Sequence, residues 1–104
     1  MSEPLDRILI HKLFSKRLNV TVPEVQTVLK SILETTLIEC EASSDIYYCF
    51  IDPKSSAWQF RTNLDVWHKN TLYVLDVMQD WTVGAIEIQR DMPPMSAMQM
   101  VELK

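Results

Sequence analysis

The stretch KRLNVTVPEVQTVLKSIL, residues 16–33, decides how the N-terminal third of the chain is read. It contains a helix end, a turn and a helix start within a few residues. Asn19 tolerates the left-handed conformation found just past a helix. Thr21 and Glu24 have the spacing of a capping box, and Pro23 sits where a missing N–H costs little. Val25, Val28, Leu29, Ile32 and Leu33 then recur at helical spacing, so a helix is expected to about residue 34.

Upstream, Ser2-Glu3-Pro4 reads as another helix start, with Ser2 as N-cap. Leu5, Ile8, Leu9 and Leu13 form its apolar stripe, with Phe14 slightly off it, and the helix is expected over about 4–18. Downstream, residues 35–42 (TTLIECEA) admit two readings. Leu37 and Cys40 would extend the second helix, whereas Thr35-Thr36-Leu37-Ile38 favours a strand. As a hairpin, 37–42 would pair with 46–51, placing Ile38 opposite Ile51, Cys40 opposite Cys49 and Ala42 opposite Tyr47 on one face. Glu39, Glu41, Tyr48 and Phe50 would lie on the other.

Beyond the Asp52–Ser56 loop, Trp58, Phe60 and Thr62 alternate with polar or small residues. A strand is expected over 57–62, resuming over 64–67 after a break at Asn63. Asn70 is a turn residue. Residues 71–79 read as a strand, although Asn70 could cap a helix there, and 81–90 alternates well. All aromatic residues except Phe14 fall between 47 and 81, as a sheet core would require. The expected class is therefore α+β in one 104-residue domain: a helical hairpin over 1–34 and a mainly β region over 37–90. The sheet is expected to be antiparallel with three to five strands. A tail over 92–104 holds Met92, Met95, Met98 and Met100, from the chain's six methionines.

Composition closes several functional classes. With 47% hydrophobic and 23% charged residues the chain is too apolar for disorder. A single glycine, Gly84, leaves no phosphate-cradling loop or dinucleotide fingerprint, since these need several glycines at fixed spacing. Two cysteines without a CxxC are too few for a disulfide scaffold or a zinc site of the usual spacing. His11 and His68 form no metal-ligating pair, and no nucleophile–base set can be placed. No cofactor, metal site, nucleotide or catalytic residue is expected. There is no apolar run of membrane-spanning length and no signal peptide, so a cytoplasmic (or nuclear) setting without secretion is expected.

Residues 11–30 resemble a helix-turn-helix through Ser15, Asn19, Val20, Thr21, Val25 and Val28. With 37–51 as a wing, the segment is similar to part of a winged helix. It also resembles the first two helices of HU-like proteins, without their glycine-rich turn and basic arms. The resemblance extends loosely to 51 and does not reach 52–104. It implies nucleic-acid contacts by Lys12, Lys16, Arg17, Gln26, Thr27 and Lys30. Charge is compatible with this locally: Arg7, Lys12, Lys16, Arg17 and Lys30 stand against Glu24 alone in 7–30, on a chain of net charge −4. An acidic body repels a phosphate backbone, however, and Gln26 is the single good base reader among these positions.

The reading that fits most features is a small non-enzymatic interaction module, acting as a subunit, adaptor or inhibitor. Its partner would be a protein, or a second copy of itself. Trp58, Trp67, Met95, Met98 and Met100 are the candidate contact residues, because aromatic rings and flexible thioethers dominate adaptable protein interfaces. A DNA-binding regulator using 11–30 is the alternative.

Overall fold

The computed structural model describes residues 5–90. Two helices, α1 (Arg7–Arg17) and α2 (Pro23–Glu34), precede four strands: β1 (Tyr47–Cys49), β2 (Phe60–His68), β3 (Thr71–Met78) and β4 (Val83–Gln89). The strands form one antiparallel sheet in the order β1-β4-β3-β2, so the α+β expectation holds. The tail residues Met92, Met95, Met98 and Met100 lie outside the described residues, as do Ser2 and Pro4.

The helix termini differ from their sequence reading. α1 begins at Arg7, and its N-cap is Asp6, whose carboxylate accepts from Leu9 N at 3.1 Å. α2 has no capping box. Pro23 occupies the first helical position and Val22 is the N-cap, without a side-chain cap. Thr21 instead turns back to Asn19, donating from its backbone N (3.1 Å) and hydroxyl (2.6 Å) to Asn19 Oδ1. The side chain of Asn19 thus holds the turn, as short polar side chains do.

The apolar stripes also shift. Ile10 and Phe14 are the fully buried residues of α1, while Ile8 is 77% exposed and Leu33 of α2 is 42% exposed. Val28, Leu29 and Ile32 of α2 meet Ile10 and Phe14 over one sheet face, made by Tyr48, Val66, Tyr73, Leu75, Val77, Val83, Ile86 and Ile88.

Neither reading of 35–42 survives. α2 stops at Glu34 because Thr35 is extended (φ −76°, ψ 138°). The β-branched pair Thr35-Thr36 disfavours further helix. The expected hairpin wing is absent too: β1 pairs with β4, Tyr48 facing Ile86, and 37–42 contributes one isolated bridge, Ile38 with Cys49. Pairing with β4 places Tyr48 in the core beside Ile86. A disulfide joins Cys40 to Cys49. Arg7 closes the end of α2, donating to the Ile32 carbonyl (3.4 Å) and to that of Thr35, and stacking 4.9 Å from the Phe50 ring centroid. A cation at a helix C-terminus is favoured by the unpaired carbonyls there.

The β hairpins carry their own corrections. β2 is one unbroken strand, because Asn63 stays in register opposite Asp76. Its turn to β3 has positive φ at Lys69 (49°) and Asn70 (62°), as two-residue hairpins require. The β3–β4 turn puts Trp81 at φ 70°, a costly conformation for a bulky residue. Its ring packs against the core and lies 4.4 Å beneath the Arg61 guanidinium, which offsets that cost.

Ser31 pins the helices to the sheet. The β3–β4 ladder slips between Asp76 and Val77, and at the slip Val83 N donates to Ser31 Oγ at 2.9 Å. The Ser31 hydroxyl donates in turn to the Val28 carbonyl at 2.7 Å. Ser31 is 6% exposed, so Ser31→Ala leaves the Val83 N–H buried and unpaired. It is expected to cost about 1–3 kcal/mol, read as a lower urea midpoint at unchanged slope.

Candidate functional site

The pleat sends alternate side chains to opposite faces. One face of the sheet is the core. On the other, Tyr47 and Cys49 of β1, Ala85, Glu87 and Gln89 of β4, Leu72, Val74 and Asp76 of β3, and Asn63, Asp65 and Trp67 of β2 follow from the register. Among the described residues no helix covers this second face. Trp67, Leu72 and Val74 are half-buried there, forming an apolar strip beside the edge strand.

A hydrogen-bond network crosses the same face. Tyr47 donates its hydroxyl to Asp76 Oδ2 at 2.7 Å, and the Asn63 amide donates to Asp76 Oδ1. Gln89 donates to Glu87. Burial raises the Asp76 carboxyl above its ordinary value, opposed by the donors Tyr47 and Asn63, with the Glu87 charge adding a smaller upward push. Burial also raises the Tyr47 phenol, helped by its bond to Asp76 and by the charges of Asp76 and Glu87. Tyr47 therefore remains a proton donor to Asp76.

β2 is the sheet's outer strand on this side and has β3 as its neighbour. The two-residue turn makes His68 and Thr71 the closing pair. Residues 66, 64 and 62 then direct backbone groups toward β3, and Asn63, Asp65 and Trp67 direct theirs outward. β2 has no glycine or proline, and its irregularity is confined to the Phe60–Thr62 end. The buried indole N–H of Trp67 makes no hydrogen bond.

The sequence-predicted residues separate into two regions. Lys12, Lys16 and Arg17 on α1, and Gln26, Thr27 and Lys30 on α2, are all exposed. Two of these already bond to backbone, Gln26 Nε2 to the Val20 carbonyl (3.0 Å) and Thr27 Oγ1 to the Pro23 carbonyl (3.2 Å). Thr27 and Lys30 line a shallow cleft of about 230 Å³ together with Glu34, which places an acid beside the cation. The two tryptophans do not act together. Trp58 packs on β4 where the chain's single glycine makes room: a Cβ on Gly84 would lie 3.0 Å from Trp58 Cζ3 and 2.7 Å from Met78 Cε. Trp67 belongs to the open face. Met95, Met98 and Met100 lie outside the described residues.

Sequence reasoning missed the Tyr47–Asp76–Asn63 network and the β2 edge. Strand order was the missing information, since Tyr47 and Asp76 are 29 residues apart and meet across β4.

Because the Asp76 pKa is raised on folding, at pH values between the unfolded and folded values the folded state holds a proton that the unfolded state has released. Stability contributed by protonation is present at low pH and is lost as pH rises through the folded value. Asp76→Asn, permanently neutral, lacks this dependence. Urea midpoints measured from neutral pH down to the ordinary carboxylate range should show wild type gaining on the variant as pH falls.

Comparison with protein-family models, curated proteins and solved structures finds no match to this chain.

Proposed function

We propose that this chain is a non-enzymatic protein-interaction module that binds an extended segment of a partner protein along β2. The observation that carries the reading is the outer strand itself, nine residues long (Phe60–His68) and without proline or glycine. Sheet edges of this kind are normally short, bulged or blocked, because their outward N–H and C=O groups recruit another strand. Strand addition uses such backbone groups for affinity and neighbouring side chains for specificity. Here Asn63, Asp65 and Trp67 supply the backbone groups. Trp67, Leu72 and Val74 supply apolar contact for alternate partner side chains, and Phe60, 44% exposed, lies at the far end of β2 beyond the Asn63–Asp76 pair. No helix among the described residues is long and apolar enough to cross a membrane. The reading keeps the cytoplasmic or nuclear setting expected from the sequence.

A second reading, DNA binding, is favoured by the exposure of Lys12, Lys16 and Arg17 along α1. Glu34 beside Lys30 and the net charge of −4 weigh against it.

Asp65→Pro tests the leading reading. The Asp65 N–H points away from β3, so proline there should leave the urea midpoint nearly unchanged while obstructing an added strand. Displayed random peptides selected against the full chain should bind wild type, lose binding to Asp65→Pro, and tolerate Lys16→Glu with Arg17→Glu. Peptides that bind a folded Asp65→Pro equally well would remove the edge from consideration.

Labelled random duplex DNA, titrated at low and physiological salt, addresses the second reading. No change in anisotropy at low salt is expected. Micromolar binding that weakens steeply with salt, and disappears in Lys16→Glu with Arg17→Glu, would put DNA in place of the peptide.

A further inference from the structure

We propose that the Cys40–Cys49 disulfide is a redox latch that holds the irregular segment 35–46 over the outer edge of β1. The two edges of the sheet are not alike. β2 has β3 on one side and no strand on the other among the described residues, whereas β1 is covered by this segment. The residues of β1 on either side of Tyr48 direct their carbonyls away from β4, and both carbonyls are occupied. Ile38 N donates to the Cys49 carbonyl at 2.9 Å, and Ser44 N to the Tyr47 carbonyl at 3.0 Å. Tyr47 N donates back to Ser44 Oγ at 3.1 Å. The segment therefore satisfies this edge without forming a strand.

Noncovalent contacts anchor the two ends of the cover: Leu37 packs against the core, the Asp45 carbonyl accepts from the Tyr48 hydroxyl at 2.9 Å, and the Ile46 carbonyl accepts from Ile88 N at 2.7 Å. The stretch between them, 38–44, has fewer. Ile38 pairs with Cys49 by one isolated bridge. Ile38 and Ile46 are exposed, and the Glu41–Lys54 ion pair lies in solvent, where such pairs contribute little. The covalent bond is thus the chief tie between Cys40 and β1. Its ends differ in access: Cys49 is fully buried in the sheet, while Cys40 is half-buried in the loop. Attack is directed to Cys40. The latch rests on the cytoplasmic setting of the proposed function: disulfides are uncommon in a thiol-rich cytoplasm, and those that form there are reversible more often than structural.

The exchange is balanced with a dithiol as reductant. One of its thiolates bonds to Cys40 Sγ, the Cys40–Cys49 bond breaks, and Cys49 Sγ leaves with the electron pair and gains a proton. The second thiol of the reductant then displaces Cys40, which also gains a proton, and the reductant departs as a cyclic disulfide. Two electrons have passed to the protein. A low-molecular-weight disulfide reverses the change. In the reduced state Ile38 and Ser44 separate from β1, and the carbonyls of Tyr47 and Cys49 become available as a second strand-adding edge.

Hydrogen exchange of the full chain, with and without dithiothreitol, tests this. On reduction, the amides of Ile38, Ser44 and Tyr47 should exchange roughly tenfold faster or more, while those of β3, β4 and Val83 keep their protection. Glutathione disulfide should restore the slow rates. Cys40→Ser with Cys49→Ala should behave as the permanently reduced form, whether or not reduced wild type stays folded. Unchanged exchange at Ile38 and Ser44 in the variant would overturn the latch. Loss of protection throughout the sheet of the variant would also overturn it, showing the bond to be a staple of the whole fold. Two freely alkylated thiols in protein treated with glutathione disulfide would overturn it as well.

Discussion

The rest of the fold depends on how one buried amide is satisfied. The β3–β4 ladder slips near its turn, and the slip frees Val83 N from the sheet. A buried N–H must find an acceptor, and Ser31 on α2 supplies it. A polar residue on the apolar face of a helix therefore fixes where that helix lies on the sheet. Val28 and Ile32 flank Ser31 and are buried with it. The position of α2 then sets that of α1, whose Ile10 and Phe14 fill the space between the helices and the sheet.

The end of α2 is a second constraint of the same kind. Its last carbonyls need donors, and Arg7 provides them from the first turn of α1. The same guanidinium lies over Phe50, just after β1. One side chain thus links the start of α1, the end of α2 and the entry to the 51–59 loop. With the C-terminal turn of α2 tied by Ser31 and Arg7, the segment that leaves it runs outside β1 and does not continue as helix.

The open sheet face brings together residues of opposite character. Trp67, Leu72 and Val74 are apolar, whereas Tyr47, Asn63 and Asp76 form a closed polar network. A half-buried carboxylate is costly unless its oxygens are bonded, and here a phenol and an amide from two different strands bond them. The network ties β1 to β2 across the two strands that separate them. Rigid support of this sort suits the strand addition proposed for β2. The cations of α1 lie on the other layer of the molecule, so the two proposed binding modes use separate surfaces.

Local patterns in the sequence determined the two helices, the turns at Asn19 and Asn70 and the alternation of β4. Each follows from neighbours within a few residues, where sterics and periodicity act. The exposure of Lys12, Lys16 and Arg17 was legible for the same reason. Tertiary structure decided what depended on distant partners. Thr21 was expected to cap α2 and bonds back to Asn19 instead, which leaves Pro23 first in the helix. Residues 35–42 suited helix or strand and became neither: the segment leaves α2 at Thr35 and meets the outer edge of β1 through the single Ile38–Cys49 bridge. The paired cysteines stand nine residues apart, and the sequence alone could set them opposite each other only through a hairpin that does not form. Asp76 is an ordinary strand aspartate until the sheet order brings Tyr47 and Asn63 to it. The outer position of β2 is likewise a property of the β1-β4-β3-β2 order, since pairing energy is shared among strands far apart in the chain and no single strand's sequence specifies its neighbours.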